Sequence, residues 1–288
     1  MDRDDDQLGC PNRRLGLIRR FWLRSRAETS KISQRSMRFP VSCQSCKGFD
    51  EKLALVIPTL CEARNIAKLL DEVRTVVQPL GIPYEIVVVD DDSEDGTSEI
   101  VSAIARADDH VRLIVRKAQR GLSGAILHGW QSTDATILGV MDADFQHPPE
   151  LLPKLIATAF GGNDLVIGSR YTNGGELGNW KPIRRLLSLG AVWATWPIQR
   201  KSIRVKDPMS GFFLVRRRCL EGETFQSSGF KLLLDILVRA RLTSVEEVPM
   251  SFGRRINGSS KADFRVGRDY AQLLTRLYAW KFVLRSFG

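Results

Sequence analysis

Residues 136–150 read TILGVMDADFQHPPE, an apolar run that ends in oxygen-bearing side chains at alternate positions: Asp142, Asp144 and Gln146. Residues two apart on a strand, or on its extended continuation, point the same way. The spacing therefore presents two carboxylates and an amide oxygen to one side. Such donors suit a hard divalent cation, Mg2+ or Mn2+. In open α/β sheets, ligands gather outside the carboxyl ends of the strands. A cation held there is placed to meet a diphosphate. The plainer reading is a strand that ends in a polar turn, with Pro148 and Pro149 opening the next helix. The segment alone does not choose between them.

Two earlier turns also end apolar runs. One is Pro58-Thr59-Leu60-Cys61-Glu62 followed by Asn65; the other is Asp90-Asp91-Asp92-Ser93 followed by Asp95-Gly96-Thr97. Acidic side chains at strand ends can accept hydrogen bonds from a base edge or a ribose hydroxyl, and Glu62 and Asp91 are read that way. Ser93, Asp95 and Thr97 are read as helix caps.

The elements that must position these turns alternate along the chain. Strands are expected at 53–59, 84–90, 111–116, 136–142 and 164–170. Helices are expected at 62–77, from about 97, at 121–131 and at 150–160. The 62–77 helix carries Ile66, Leu69, Leu70 and Val73 on one face. Near-continuous apolar strands separated by helices imply an α/β fold, a mostly parallel sheet with helices on both faces. Beyond Tyr171 a glycine-rich loop, a helix at 184–196, strands at 212–217 and 245–252 and a helix near 230–240 follow. The segment from Phe264 has a helical pattern interrupted by Arg and Lys, which fits a helix lying on a membrane surface. Residues 1–50 lack sustained periodicity and are expected to form a poorly ordered extension. The main domain is expected over 51–253.

The formal charge is +10 over 288 residues. Residues 1–36 carry nine basic and five acidic side chains, residues 251–288 eight and two, and the middle 26 of each. A neutral core and no recognisable motif argue against nucleic acid as a partner. One local exception is the stretch from Leu177 to Lys206, with seven basic residues, no acid, and Trp180, Trp193 and Trp196. That mixture suits an anionic membrane surface; the alternatives are nucleic acid or a solvated helix with buried Trp. No run is long and apolar enough to span a bilayer, and the acidic start is unlike a signal peptide. Five cysteines without such a signal suggest reduced thiols in the cytosol. Cys43-x-x-Cys46 has no second half to complete a zinc site. No GxGxxG follows the first strand, which argues against a dehydrogenase. PTLCEARN stands where a sugar nucleotidyltransferase would carry a glycine- and arginine-rich loop.

PTLCEARN, VVVDDDSEDGT, GLSGAILHG, MDADFQHPPE, IGSRY and the later Arg-Ile-Asn-Gly-Ser-Ser-Lys occur in this order. Over about residues 52–270 the chain resembles family 2 glycosyltransferases of the GT-A fold, and within them the dolichyl-phosphate (polyprenyl-phosphate) mannosyltransferases. The resemblance implies that Pro58, Leu60, Glu62, Val89, Asp91 and Ala143 lie along the nucleotide sugar. It implies that Asp142, Asp144 and Gln146 hold the metal and that Arg170 meets the donor phosphate. Arg184 and Ser188 would lie near the acceptor phosphate. Arg255 and Lys261 would sit on a mobile loop that closes over the phosphates, ahead of a basic amphipathic C-terminal helix within 254–288. Leu60 and Cys61 depart from the family's usual Tyr and Asn, which bears on base stacking and so on nucleotide identity.

The implied reaction is an inverting transfer of mannose from GDP-mannose to dolichyl or polyprenyl phosphate, with Asp144 and Arg170 central. UDP-glucose or another nucleotide sugar is the alternative donor. A phosphate monoester, with a second pKa of about 6, attacks without a base. A hydroxyl acceptor needs one, and Asp207 in KDPMSGF is the candidate. The Gln-x-x-Arg-Trp motif usual in polysaccharide-building members is absent, which favours the phosphate. His147 is read as a structural turn residue. Such an enzyme would work peripherally at the cytoplasmic face of a membrane, alone or held by a partner membrane subunit.

Overall fold

A computed structural model describes residues 36–38, 51–117, 120–174, 182–226, 231–253 and 264–282, with the side chains of 36–38, 182–188, 226 and 264–267 outside that description. The N-terminal extension, Cys43 and Cys46, Trp180 and the loop bearing Arg255 and Lys261 lie outside it.

The first buried run, LALVIPT, forms strand β2 (Leu53–Thr59); β1 is a short segment at Ser36–Arg38. Helix α1 (Ile66–Val77) follows because Ile66, Leu69, Leu70, Val73 and Val77 recur on one face and are buried. It ends through Pro79 into Gly81, whose φ of 64° is a left-handed turn. The pattern repeats through β3 (Tyr84–Asp90), α2 (Thr97–Ala105), β4 (Val111–Val115), α3 (Leu122–Gln131), β5 (Ile137–Val140), α4 (Leu152–Phe160) and β6 (Leu165–Ser169). The remainder comprises α5 (Pro182–Thr195), β7 (Phe213–Arg216), β8 (Thr224–Gln226), α6 (Leu232–Arg239), β9 (Val245–Pro249) and α7 (Phe264–Phe282).

The main sheet has the order β4-β3-β2-β5-β7-β6-β9. All its pairings are parallel except those of β7, which runs against both β5 and β6. Apolar clusters cover both faces. One includes Trp130, Phe213 and Leu237; the other includes Leu69, Ile86 and Phe212. The fit is close where α3 crosses the sheet, since a Cβ on Gly129 would lie 2.8 Å from both Val56 methyls.

The chain runs outward from β2 through β3 to β4 and then returns to lay β5 on the other side of β2. That reversal opens a crevice at the carboxyl tips of β2 and β5. It is widened because β5 ends at Val140, beside Val56, whereas β2 continues through Pro58 and Thr59 against β3 alone. Because β7 is reversed, its leading turn (206–212) lies at the same edge as the tips of β5, β6 and β9.

Helix α7 also packs against protein: Leu277 is fully buried with Ile198, Leu234 and Val238, and Tyr270, Leu273, Leu274 and Tyr278 pack against them. The Tyr270 and Tyr278 hydroxyls donate to the carbonyls of Ala191 and Ala194. Lys281 Nζ donates to three carbonyls just past α5, at 3.0 to 3.1 Å, a favourable place for a cation. The exposed large apolar side chains here are Leu189, Trp193, Trp196 and Phe282.

Candidate active site at the carboxyl edge of the sheet

Among the described residues, three non-glycines have left-handed backbones, Cys61 (φ 58°), Asp92 (59°) and Phe145 (62°). They follow the tips of β2, β3 and β5 respectively. Such conformations are costly and persist only where the surroundings impose them. All three lie at the crevice.

At the first two tips the polar side chains tie one turn to the other. Ser93 Oγ accepts the Cys61 N–H at 2.8 Å and donates to Asp90. Asp95 accepts the Ala63 N–H, and Thr97 Oγ1 accepts the Glu62 N–H at 2.9 Å. Ser93, Asp95 and Thr97 are thus structural, as expected, although they cross-link two turns where simple helix caps were expected. Glu62 accepts from Asn65 Nδ2 at 2.7 Å. Asp91 is buried, receiving Arg116 Nε at 2.7 Å and the Gly121 N–H at 2.8 Å. Pro58 and Val89 are ladder partners. Val89 is fully enclosed, so a ligand could meet only its main chain. Leu60 is half-buried at the same edge.

The Asp142–Gln146 segment is a turn and not a continuing strand. Val140 ends β5, and Phe145 reverses the backbone. The Gln146 N–H donates to Asp144 Oδ1 at 3.0 Å, so the three oxygen-bearing residues share one short turn. Asp144 and Ala143 are buried, while the Asp142 side chain is 36% exposed. His147 braces the turn, its Nδ1 accepting the Asp142 N–H at 3.0 Å. The ring stacks on Phe212 and is 2% exposed. Burial pushes its pKa down to about 4. The 3.7 Å from Nδ1 to Asp142 Oδ2 is therefore the approach of a neutral ring and not an ion pair. His147 is a structural residue.

Arg170 follows β6 and meets Asp207 in a two-pronged pair: Nε to Oδ2 and Nη2 to Oδ1, both 2.8 Å. The Arg170 main-chain N–H adds a third bond to Oδ2 at 3.0 Å. Burial alone would weaken the guanidinium's hold on its proton, but Asp207 outweighs it and keeps Arg170 firmly charged. Asp207 is fully buried, and both its oxygens are engaged. With both oxygens occupied, this geometry disfavours Asp207 as a base, which would need to reach a substrate proton.

Sequence reasoning missed Lys231, a lone cation between Phe230 and three leucines just before α6. Burial lowers its ammonium pKa, the charge of Arg170 adds to the effect, and Asp142 and Asp207 oppose it. His147 in turn feels Asp144, Arg170 and Asp207. Among the described residues, six from four parts of the chain, with His147 neutral, thus share one electrostatic field. Its three carboxylates outnumber its two cations, a balance that fits a bound divalent cation. Among the described residues no three His, Cys, Asp or Glu converge as ligands. Mg2+ commonly takes one or two carboxylates and completes its shell with substrate phosphate and water. The donor set therefore fits. Arg184 and Ser188 fall on α5 with their side chains outside the description.

Comparison with known proteins matches this architecture. The model of glycosyl transferase family 2 fits residues 54–233. The dolichol-phosphate mannosyltransferase of Pyrococcus furiosus is 40% identical over 230 residues, 80% of this chain and 64% of that protein. The Saccharomyces cerevisiae protein of the same name is 36% identical over 80% of this chain and 88% of its own length. Among solved structures, mannosyl-3-phosphoglycerate synthase from Rubrobacter xylanophilus superposes with a TM-score of 0.59 at 17% identity, covering 79% of this chain and 74% of that one. Glucosyl-3-phosphoglycerate synthase from Mycobacterium tuberculosis, solved with Mn2+ and UDP-glucose, gives 0.55 at 19% identity over 80% and 79%. These neighbours share the GT-A sheet. With the family match spanning more than half of the sequence, the chain belongs to glycosyltransferase family 2.

Proposed function

We propose that this enzyme transfers mannose from GDP-mannose to the phosphate of dolichol or a related polyprenol, with inversion. The observation that carries the reading is the engagement of Asp207. Asp207, the base that a hydroxyl acceptor would call on, is sealed against Arg170, which supports an acceptor that needs none. A phosphate monoester is already largely ionised at neutral pH, and its oxygen attacks the anomeric carbon as the diphosphate leaves. The similarity to dolichol-phosphate mannosyltransferases supports the same acceptor class.

Asp142, Asp144 and Gln146 would hold Mg2+ or Mn2+, which supplies charge neutralisation on the departing diphosphate. Arg170, held charged by Asp207, would add fixed positive charge beside that turn. Arg255 and Lys261 are assigned to the donor phosphates and Arg184 and Ser188 to the acceptor phosphate on the family resemblance. Pro58, Leu60, Glu62, Val89, Asp91 and Ala143 line the nucleotide end on the same ground.

A lipid acceptor requires the site to approach a bilayer. No helix among the described residues is long and apolar enough to cross one. Trp193 is 73% exposed and stacks on Trp196, over which Arg204 lies at 5.0 Å. Aromatic rings beside cations suit the headgroup layer of an anionic leaflet. This supports peripheral work at the cytoplasmic face, alone or with a membrane subunit.

The test is transfer of labelled sugar to a short polyprenyl phosphate, with GDP-mannose and UDP-glucose run in parallel and with Mg2+ or Mn2+. Wild type is compared with Asp144→Ala. Metal-dependent product from GDP-mannose, lost in the variant, is expected. Product only from UDP-glucose corrects the donor. No product from either, with nucleotide still bound, overturns the phosphate acceptor.

A further inference from the structure

Arg170 is held by more than Asp207. Glu247, on β9, accepts two successive main-chain N–H groups from the turn that carries Asp207. These are Lys206 N to Oε2 at 2.9 Å and Asp207 N to Oε1 at 3.0 Å. Asp207 then reaches back to the guanidinium and main chain of Arg170. The path closes through the sheet, because β9 pairs with β6, with Ile167 opposite Glu247 and Ser169 opposite Pro249. Arg170 is the next residue. Backbone ladder, Glu247, turn and Asp207 thus form a ring of constraints around one guanidinium.

The ring is worth more than its individual bonds. Asp207 is fully buried, so its N–H has no easy recourse to water if Glu247 is removed. Lys206 is exposed, and its N–H can be solvated. Loss of Glu247 therefore loosens the end of the turn that carries Asp207. The other end stays fixed, since Ser210 Oγ donates to the Gly168 carbonyl at 2.7 Å and the Gly168 N–H donates to Phe212 O at 2.8 Å. The expected result is a folded protein with a displaced Arg170.

We propose that Glu247 is a positioning residue for sugar transfer, acting through the Lys206–Asp207 turn to hold the Arg170 guanidinium toward the leaving diphosphate. This rests on the reading above that Arg170 meets the donor phosphates. A misplacement of about 1 Å can cost on the order of 100-fold in rate. Carboxylate is suited to the task because both oxygens accept, whereas an amide would aim a donor at one of the two N–H groups.

The experiment is a double-mutant cycle on the full chain, with kcat and donor KM measured for wild type, Glu247→Ala, Arg170→Lys and the double variant. Melting temperatures are recorded alongside. Glu247→Ala should lower kcat by about 10- to 100-fold while donor KM moves less than about 3-fold, and Glu247→Gln should fall between. In the Arg170→Lys background, which has no fork to aim, removing Glu247 should have almost no further effect. Additive losses would overturn the proposal, as would an unchanged kcat in Glu247→Ala. Should Glu247→Ala fail to fold, the same cycle with Glu247→Gln decides. Normal transfer by Arg170→Lys alone would instead sink the assignment of Arg170 to the donor, and the proposal with it.

Discussion

Gly211 offers a direct test of the metal site proposed at Asp142, Asp144 and Gln146. It lies in the 206–212 turn, where a Cβ would sit 3.1 Å from Asp142 Oδ2 and 3.1 Å from His147 Cε1. Relaxed contacts of this kind lie a few tenths of an ångström longer, so something must move. His147 cannot easily do so, being 2% exposed and stacked on Phe212 with ring centroids 5.2 Å apart. The Asp142 carboxylate is 36% exposed and will yield. In Gly211→Ala it should shift by roughly 0.3 Å, against a cation such as Mg2+ that holds its ligands near 2.0–2.1 Å in strict octahedral geometry. Disturbing the surroundings of a ligand commonly lowers metal affinity by about 10- to 100-fold. The smaller figure suits so small a shift and corresponds to about 1.4 kcal/mol. The assay is sugar transfer titrated with Mg2+, supported by direct Mn2+ binding by electron paramagnetic resonance. Half-saturation should rise about 10-fold with little change in melting temperature. Unchanged metal affinity in a normally folded variant would refute the placement of the cation against Asp142.

Three further outcomes follow from the same geometry. Gly129→Ala drives a Cβ to 2.8 Å from both Val56 methyls, lifting α3 off the sheet. Overpacking of this kind costs about 2 kcal/mol, and the melting temperature should fall by about 4–8 °C while the Asp142–Gln146 turn stays intact; an unchanged melting temperature would show that the helix shifts freely. Asp164 provides a pH test. Burial alone would raise its pKa, but hydrogen bonds from Thr243 and Arg218 outweigh it and hold the carboxyl well below the ordinary range. Its stabilisation is therefore complete above about pH 4 and is lost as pH falls below that value. Urea midpoints of wild type should drop more steeply below about pH 4 than those of Asp164→Asn, and parallel curves would argue against it. Replacing Trp193 and Trp196 by Ala should weaken co-sedimentation with phosphatidylserine-containing vesicles and leave transfer to a short soluble acceptor unchanged; equal sedimentation would put the membrane contact elsewhere.

Much of this architecture is written in local chemistry. The runs LALVIPT and YEIVVVD become β2 and β3 with the expected ends, because a buried strand needs uninterrupted apolar residues and stops where they stop. That Asp142, Asp144 and Gln146 meet in one turn is legible because they are neighbours in the chain. Its expected extended geometry was wrong, since alternation along the sequence does not reveal that Phe145 turns back. The direction of β7 was equally hidden: an apolar run reads the same whether its strand is parallel or antiparallel. Everything that aims the charges was beyond reach. Arg170 lies 37 residues from Asp207, and Asp207 lies 40 from Glu247. Gly211 owes its constraint to the side chains of Asp142 and His147, and Lys231 carries no mark of its own in the sequence. Propensity and hydrophobic pattern act over a few residues, so they settle which segments become strands and where turns fall. Ion pairs, close contacts and shared fields depend on distances across the sheet, which exist only once β7 and β9 have been laid beside β6.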